Sequence, residues 1–393
     1  MTPRVFLACG LLAAFFTPVH GQNPAGFKEL KIGDPAPDFK LIGIDDKFMA
    51  LGDFKAAKFL AVVFTSNHCP VSHAAEPRLI TLYQEYKAQG FGVVAINPNH
   101  PDGLRPDELG YSKYGDSFPE MKLYAKEMGF PFPFLYDGET QAVAMAYGCL
   151  ATPHVFLFDQ ERKLRYKGWI DDCRFPDEKL VKKPDLRNAV AALVAGQPVP
   201  VAVTGPIGCS TKWRTKKSAV VKDDEKWASL PVTIDLTDAA GVAKLRANPT
   251  TNYRLFNVWS TTCAPCVEEF PGLVRVARRM GMRPFEMVTI STDLPADQAK
   301  AVAFLKKFGA GLPDHLKGGL AKEGRTTNNY LYTEPSMDSL IKALDPEWTG
   351  PQPHTLLVAP GGKIVFRHTG KLSEEQLLAE VIKVLTPFYQ PEK

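Results

Sequence analysis

The sequence predicts an α/β protein made of two homologous units in tandem, and three observations carry that reading. The chain has 393 residues, more than a single hydrophobic core usually serves, since cores stop growing at about 250–300 residues. Its composition is that of an ordinary globular protein, with 45% apolar and 23% charged residues, which disfavours collagen-like, coiled-coil and disordered chains. The third observation is a recurring order of signals. In each half an apolar strand-like run is followed by a polar turn, a cysteine and a helix-like segment, and later by an Xaa-Pro-His strand. Lysine plus arginine is 47 and aspartate plus glutamate is 43, a surplus of +4. So small a surplus points to no nucleic-acid partner and no acidic tail.

The first 21 residues read as an export signal. Arg4 supplies the positive start, Val5 to Phe16 is a short apolar core, and Val19-x-Gly21 offers small residues for cleavage. That core is too short to span a bilayer. Cleavage after Gly21 removes Cys9 and leaves a charge of +3. A retained membrane anchor and a lipid attachment at Cys9 are the competing readings. No later stretch is apolar for long enough to cross a membrane, so the processed chain is expected to be exported, periplasmic or secreted in a bacterium. Disulfides persist in such a compartment.

Six cysteines remain: Cys69, Cys149, Cys173, Cys209, Cys263 and Cys266. Phe59 to Phe64 and Tyr253 to Trp259 are short, β-prone runs of the kind that form buried central strands. Cys69 follows the first and Cys263 the second. After Cys69, Leu79, Tyr83 and Tyr86 form a helical stripe that Gly90 can end. After Cys266, Phe270, Leu273, Val274 and Ala277 do the same ahead of Gly281. Pro77 and Pro271 lie eight residues beyond Cys69 and Cys263 and bend these helices. Further along, Thr152-Pro153-His154 matches Gln352-Pro353-His354, each opening a strand–turn–strand pattern that ends near Gly168 or Gly370. Closing helices are expected over Leu186 to Leu193 and Ser373 to Leu385. The units are therefore 29–199 and 226–393, joined by a Pro- and Gly-containing linker over 200–225. The basic run Lys212 to Lys217 reads most simply as a solvated part of that linker.

The strongest chemical signal is Cys263-Ala-Pro-Cys266. Two cysteines three apart at a helix start can form a small, exchangeable disulfide. Unpaired N–H groups and the helix dipole there favour a thiolate at the first cysteine, and the thiolate is the species that attacks a disulfide. Cys263 is the expected nucleophile and Cys266 the resolving thiol. Pro353, in a turn where an Xaa-Pro bond can be cis, could face the sulfurs. A permanent disulfide or half of a zinc site are the alternatives, but no second C-x-x-C or histidine pair at zinc spacing accompanies the motif.

With these residues in view, the strand, the Trp259-Ser-Thr-Thr-Cys263-Ala-Pro-Cys266 turn, Pro271 and Pro353 resemble the thioredoxin fold. The exported setting resembles the TlpA-like thiol–disulfide oxidoreductases. The resemblance implies a central mixed β-sheet flanked by helices in each unit. It also implies an attacking Cys263, a resolving Cys266 and a substrate-facing cis-Pro353. Thr262 departs from the tryptophan usual before the first cysteine. The first unit resembles the redoxins, the peroxiredoxin-like (AhpC/TSA-type) branch, through Asp34-Pro-Ala-Pro-Asp38-Phe39, Ala95 to Asn99 and Phe130 to Asp137. That resemblance places Cys69 at the attacking position and Pro153 at the cis-proline position. Ser72 stands where a second cysteine would be, and Val62 replaces a proline usual in peroxidases, although Ser66 fits.

Cys69 is expected at a helix start beside His68, with His154 across the site, where an imidazolium would lower the thiol's pKa. The plainer reading of both histidines is as solvated loop residues. A metal site from Cys69, His68, His73 and His154 lacks any spacing signature, so neither metal nor cofactor is expected. Cys69, Cys149, Cys173 and Cys209 allow three pairings. Cys149 could resolve Cys69, and Cys149–Cys173 or Cys173–Cys209 could be a structural staple; one staple is favoured. Glu268 and Glu269 read as charges suited to a helix start. Trp213, Trp227 and Trp348 read as packing residues, and Gly361-Gly362 as a hairpin turn. The predicted function is an exported thiol–disulfide oxidoreductase acting on protein disulfides, with an external redox partner restoring its dithiol. A Cys69 thiol peroxidase and a non-catalytic binding module braced by cysteines are the rivals.

Overall fold

A computed structural model describes residues 23–388, so the expected export segment lies outside the described residues. The first half contributes β1 (Lys40–Gly43), β2 (Phe48–Ala50), β3 (Phe59–Phe64), β4 (Phe91–Asn97), β5 (Phe134–Tyr136), β6 (Ala151–Thr152), β7 (His154–Phe158) and β8 (Leu164–Gly168). All but β6 join one sheet in the order β2-β1-β5-β4-β3-β7-β8. After β9 (Cys209–Ser210) come β10 (Asp235–Thr237), β11 (Tyr253–Trp259), β12 (Phe285–Ser291), β13 (Asn329–Tyr332), β14 (His354–Val358) and β15 (Ile364–Thr369). These last six form a second sheet, β10-β13-β12-β11-β14-β15. The helices are α1 (Pro70–Tyr86), α2 (Phe118–Met128), α3 (Ala142–Tyr147), α4 (Asp185–Val194), α5 (Lys217–Ala228), α6 (Ala239–Ala247), α7 (Ala264–Arg279), α8 (Gln298–Phe308), α9 (Asp314–Lys322), α10 (Met337–Leu344) and α11 (Glu374–Leu385).

The centres of the two sheets are wired alike. β3 runs parallel to β4 and antiparallel to β7, as β11 does to β12 and β14. Both closing hairpins shift register at matching places, Leu157/Phe158 and Leu357/Val358. The outer edges differ, because β1 lies antiparallel to β5 whereas β10 lies parallel to β13. The α/β class and the mixed sheets flanked by helices are as the sequence predicts.

Period-2 alternation explains the central strands. Ala61 and Val63 face a core that takes Leu79 of α1, Met121 of α2 and Val190 of α4. Leu60, Val62 and Phe64 face the other way, against Val143 and Tyr147 of α3. A strand covered on both faces reads as an unbroken apolar run. In β11, Leu255 and Trp259 pack on α7, α8 and α11, while Phe256 and Val258 pack on α6 and α10. Pro70 opens α1, where a missing N–H costs nothing. Ser373 caps α11, accepting from Gln376 N at 3.2 Å while Gln376 Oε1 accepts from Ser373 N at 3.1 Å.

The stretch 200–225 is not an open connection. Lys167 N donates to Ala202 O and Thr204 N to Lys167 O, both at 3.0 Å. β9 then pairs antiparallel with β6, and Trp213 is buried against Phe27. The solvated reading of the basic run therefore fails at Lys212, which is buried with its ammonium 2.6 Å from Glu108 Oε1. It holds at exposed Lys217. The halves also touch directly. Arg279 near the end of α7 donates to Leu109 O and Ser112 O, and Arg283 donates to Gly110 O. Among the described residues no helix is long and apolar enough to cross a membrane.

Candidate functional site

Cys263 is the N-cap of α7 and is joined to Cys266 by a disulfide. Its Sγ accepts from Cys266 N at 3.3 Å, one of the N–H groups a helix start leaves without an internal partner. Cys263 is half-buried and Cys266 fully buried, so the first sulfur is the one that solvent reaches. The cysteine turn is held by Thr261, whose N–H and hydroxyl both bond the Asp293 carboxylate. Beneath it, Trp259 stacks on Phe304 with centroids 4.4 Å apart. The Gln352–Pro353 peptide is cis. β14 pairs Val258 with His354, which sets Pro353 beside the end of β11 where the cysteine turn begins. Gln352 Nε2 donates to Thr292 Oγ1 at 2.8 Å, and Thr292 N to Trp259 O at 2.9 Å.

The two glutamates after Cys266 part company. Glu268 is exposed and pairs with Lys371 at 2.6 Å, as a surface charge should. Glu269 is buried, which corrects the helix-start reading. Its carboxylate accepts from Asn257 Nδ2 at 3.0 Å and Leu372 N at 2.8 Å. Burial pushes its pKa up to about 7 despite those bonds. It lies three residues beyond Cys266, on the same helix face. That i,i+3 spacing is the signal by which the sequence could have revealed it.

The first half repeats the arrangement with different partners. Cys69 is the N-cap of α1 and fully buried, with the Ser72 N–H among the groups that lower its pKa. The Thr152–Pro153 peptide is cis, and β7 pairs Phe64 with His154, so Pro153 stands beside this cysteine turn too. Cys69 Sγ lies 3.0 Å from Thr152 O and accepts from Cys209 N at 3.4 Å. Burial alone would raise this thiol. The Cys209 side chain, the charge on His68 and the Ser72 and Cys209 N–H groups outweigh burial and hold it well below the ordinary thiol range.

A buried polar shell surrounds Cys69. His68 Nδ1 meets Asp116 Oδ2 at 2.5 Å, both groups fully buried. Asp116 also accepts from Asn67 N and Asn99 Nδ2, each at 2.8 Å. Glu76 accepts from Thr65 Oγ1 at 2.6 Å and from the Tyr124 hydroxyl, and burial raises it to about 7. His68 and His154 are thus not solvated loop residues. His154 Nδ1 accepts from Leu150 N, its ring packs on Phe156, and burial lowers its pKa to about 3. His68 is the histidine whose charge acts on Cys69. His73 Nε2 is engaged by Asn67 O at 2.6 Å. Among the described residues no group of three or more His, Cys, Asp or Glu side chains is placed to hold a metal.

The structure brings Cys209 to Cys69 and leaves Cys149 and Cys173 apart from both. Cys149 is buried against Ala151 O and Thr211 Oγ1, and burial raises its pKa to about 12. Cys173 faces Phe175 O and Asp177 O. Cys69, Cys149, Cys173 and Cys209 are all free thiols, so the favoured staple is not formed. Asp116 and Glu76 are further residues that sequence reasoning missed. Glu76 lies on the stripe of α1 that carries Leu79 and Tyr83, at i, i+3 and i+7, a signal that could have revealed it, whereas Asp116 lies at no spacing that marks it.

The profile of the AhpC/TSA family matches residues 32–167, a span that holds Cys69 and Pro153. The chain is similar to the thiol-disulfide oxidoreductase ResA of Geobacillus thermodenitrificans, 26% identical over 162 residues, which are 41% of this chain and 83% of that protein. ResA of Bacillus subtilis is 26% identical over 165 residues, 41% of this chain and 82% of that one. The redoxin match thus covers residues 32–167, and the fold is thioredoxin-like. These relatives are named thiol–disulfide oxidoreductases. Among solved structures the chain resembles the hypothetical protein SMc02350 of Sinorhizobium meliloti 1021. The two are 36% identical with a TM-score of 0.42, over 47% of this chain and 96% of that one.

Proposed function

We propose that the protein is an exported bacterial thiol–disulfide oxidoreductase that exchanges disulfides with protein substrates through Cys263 and Cys266. One observation carries this: the disulfide sits at the start of α7 with one sulfur half-exposed and the other buried. In the reduced protein the Cys263 thiolate attacks a substrate disulfide. A new S–S bond forms, the substrate bond breaks, and the departing sulfur takes a proton. Cys266 then attacks Cys263 Sγ, closes the internal disulfide and frees the second substrate sulfur as a thiol. The substrate is reduced by two electrons and the cysteine pair oxidised by two. A redox partner outside the chain returns the dithiol.

Pro153 and Pro353 are the proposed substrate-facing residues of units 29–199 and 226–393 respectively, the second unit being thioredoxin-like in its own right. The wiring shared by the two sheets supports that division. Export, to the periplasm or beyond, rests on the sequence of residues 1–21. The decisive experiment is reduction of insulin disulfides by the purified chain and by Cys263→Ser. Activity in the first and none in the second is the expected result. Full activity in the variant overturns the assignment.

A second reading has one observation in its favour, the lowered pKa of Cys69 at the start of α1. It makes the first unit a thiol peroxidase in which Cys69 is oxidised to a sulfenic acid. Rapid consumption of hydrogen peroxide that disappears in Cys69→Ser would establish it.

A further inference from the structure

Cys69 has no sulfur one turn along its own helix. Ser72 occupies that position, and its buried Oγ has no hydrogen-bond partner. The residue that reaches Cys69 is Cys209, whose N–H donates to Cys69 Sγ at 3.4 Å, and the two side chains shift one another's ionisation. The ladder of β6 and β9 pairs Thr152 with Cys209, so the edge just before cis-Pro153 is filled by the chain's own later segment. That segment is shaped to lie there. Gly208 has φ +155°, and a Cβ on it would fall 1.9 Å from Thr152 O and 3.1 Å from Pro153 Cδ. Beyond Cys209, Thr211 N donates to Leu150 O and Lys212 N to Asn99 Oδ1.

We propose that Cys69 and Cys209 form a second exchangeable thiol–disulfide centre, in which residues 205–213 act as a built-in substrate strand carrying the resolving sulfur. The proposal rests on the thiol–disulfide class of the protein but not on Cys263 or Cys266. Its co-reactant is a low-molecular-weight disulfide of the glutathione class. The Cys69 thiolate attacks that disulfide, forming a mixed disulfide and releasing one small thiolate, which takes a proton. Cys209 then attacks Cys69 Sγ. The Cys69–Cys209 bond forms, the mixed bond breaks, and the second small thiol leaves with the Cys209 proton. One small disulfide is reduced to two thiols, and two protein thiols are oxidised to one disulfide.

The electrostatics give the two sulfurs different tasks. Cys209 keeps its proton because the Cys69 side chain and desolvation both raise its pKa. Once Cys69 is capped, its negative charge is gone and the first of those causes with it. Cys209 is thereby released to attack only after Cys69 has reacted. On the residue before Cys69, His68 Nε2 is also buried without a hydrogen-bond partner.

The test uses the full-length chain carrying Cys263→Ser and Cys266→Ser, beside the unmodified chain. Both are equilibrated in buffers of reduced and oxidised glutathione, quenched with iodoacetamide, and mapped by mass spectrometry without reduction. The expected result is a Cys69–Cys209 cross-linked peptide that grows with oxidised glutathione as the alkylation adducts of both residues are lost. Adding Cys209→Ser should stop the reaction at glutathione on Cys69, and Cys69→Ser should leave Cys209 free. Alkylation of both residues at every buffer ratio overturns the proposal, as does Cys209 linked to Cys149 or Cys173. Insulin reduction is read separately, so failure of one centre is distinguishable from failure of the other.

Discussion

Glu269 and Asn257 meet inside the second core, the carboxylate accepting from the amide at 3.0 Å. Burial holds Glu269 at about 7 against an ordinary 4.5, and Glu76 of the first half likewise. Each carboxyl binds its proton more tightly folded than unfolded. The stability it contributes is whole below the ordinary carboxylate range and drains as pH rises through about 7. One such group changes stability by at most about 1.4 kcal/mol per pH unit in that window. Urea midpoints across the window should fall less steeply for Glu269→Gln than for the parent chain. Parallel curves would show that Glu269 ionises normally.

Cys266→Ser removes the sulfur that closes the ring and leaves Cys263 in place. Turnover of insulin should fall by roughly a thousandfold or more, as when a reacting group is deleted. The substrate should be retained on Cys263 as a mixed disulfide that dithiothreitol releases. Gel shift under non-reducing conditions reads the trapped species.

Gly208→Ala places a methyl group where Thr152 O already lies. Backbone strain of this kind costs about 1–3 kcal/mol. The covering segment should shift, and Cys69, already below the ordinary thiol range, should alkylate faster near neutral pH. Cys149, raised to about 12, should not. Timed alkylation with peptide mapping distinguishes the two thiols.

Arg254 is fully buried in β11, 2.9 Å from Glu286 and 2.5 Å from Glu323, with Arg325 completing the cluster. Arg254→Ala leaves Glu286 and Glu323 to share the single guanidinium of Arg325, an excess of buried negative charge that should cost up to about 3–5 kcal/mol. Replacing Arg254 and Glu286 together by methionine should recover much of that loss. Denaturant titration of the single and double variants measures both effects.

The parts of this molecule that were legible in its sequence are those whose environment is set locally. β3 and β11 are covered on both faces, so their runs of apolar residues needed no partner to be recognised. Ser373 with Gln376 marks the start of α11 through a bond between neighbours, and the Gly361-Gly362 turn needs only its own positive φ angles. Burial imposed from a distance left no such trace. Lys212 reads as a surface lysine until Glu108 is seen beside it. His68 is sealed by Asp116, a residue of a separate loop. Cys209 looks like a linker cysteine because its neighbour Cys69 precedes it by 140 residues. Glu269 is the exception: helix periodicity puts it on the face of Cys266, although its place after the motif reads as a charge suited to a helix start.

The segment over the Cys69 groove is also the tether between the two sheets, so the molecule keeps spare rope coiled against one of its own faces. Freed from β6, the dozen or so residues of 202–213 would span roughly 40 Å when extended. A bond between Cys69 and Cys209 would cleat that rope, and breaking it would lengthen the leash on which the CAPC-bearing half is held.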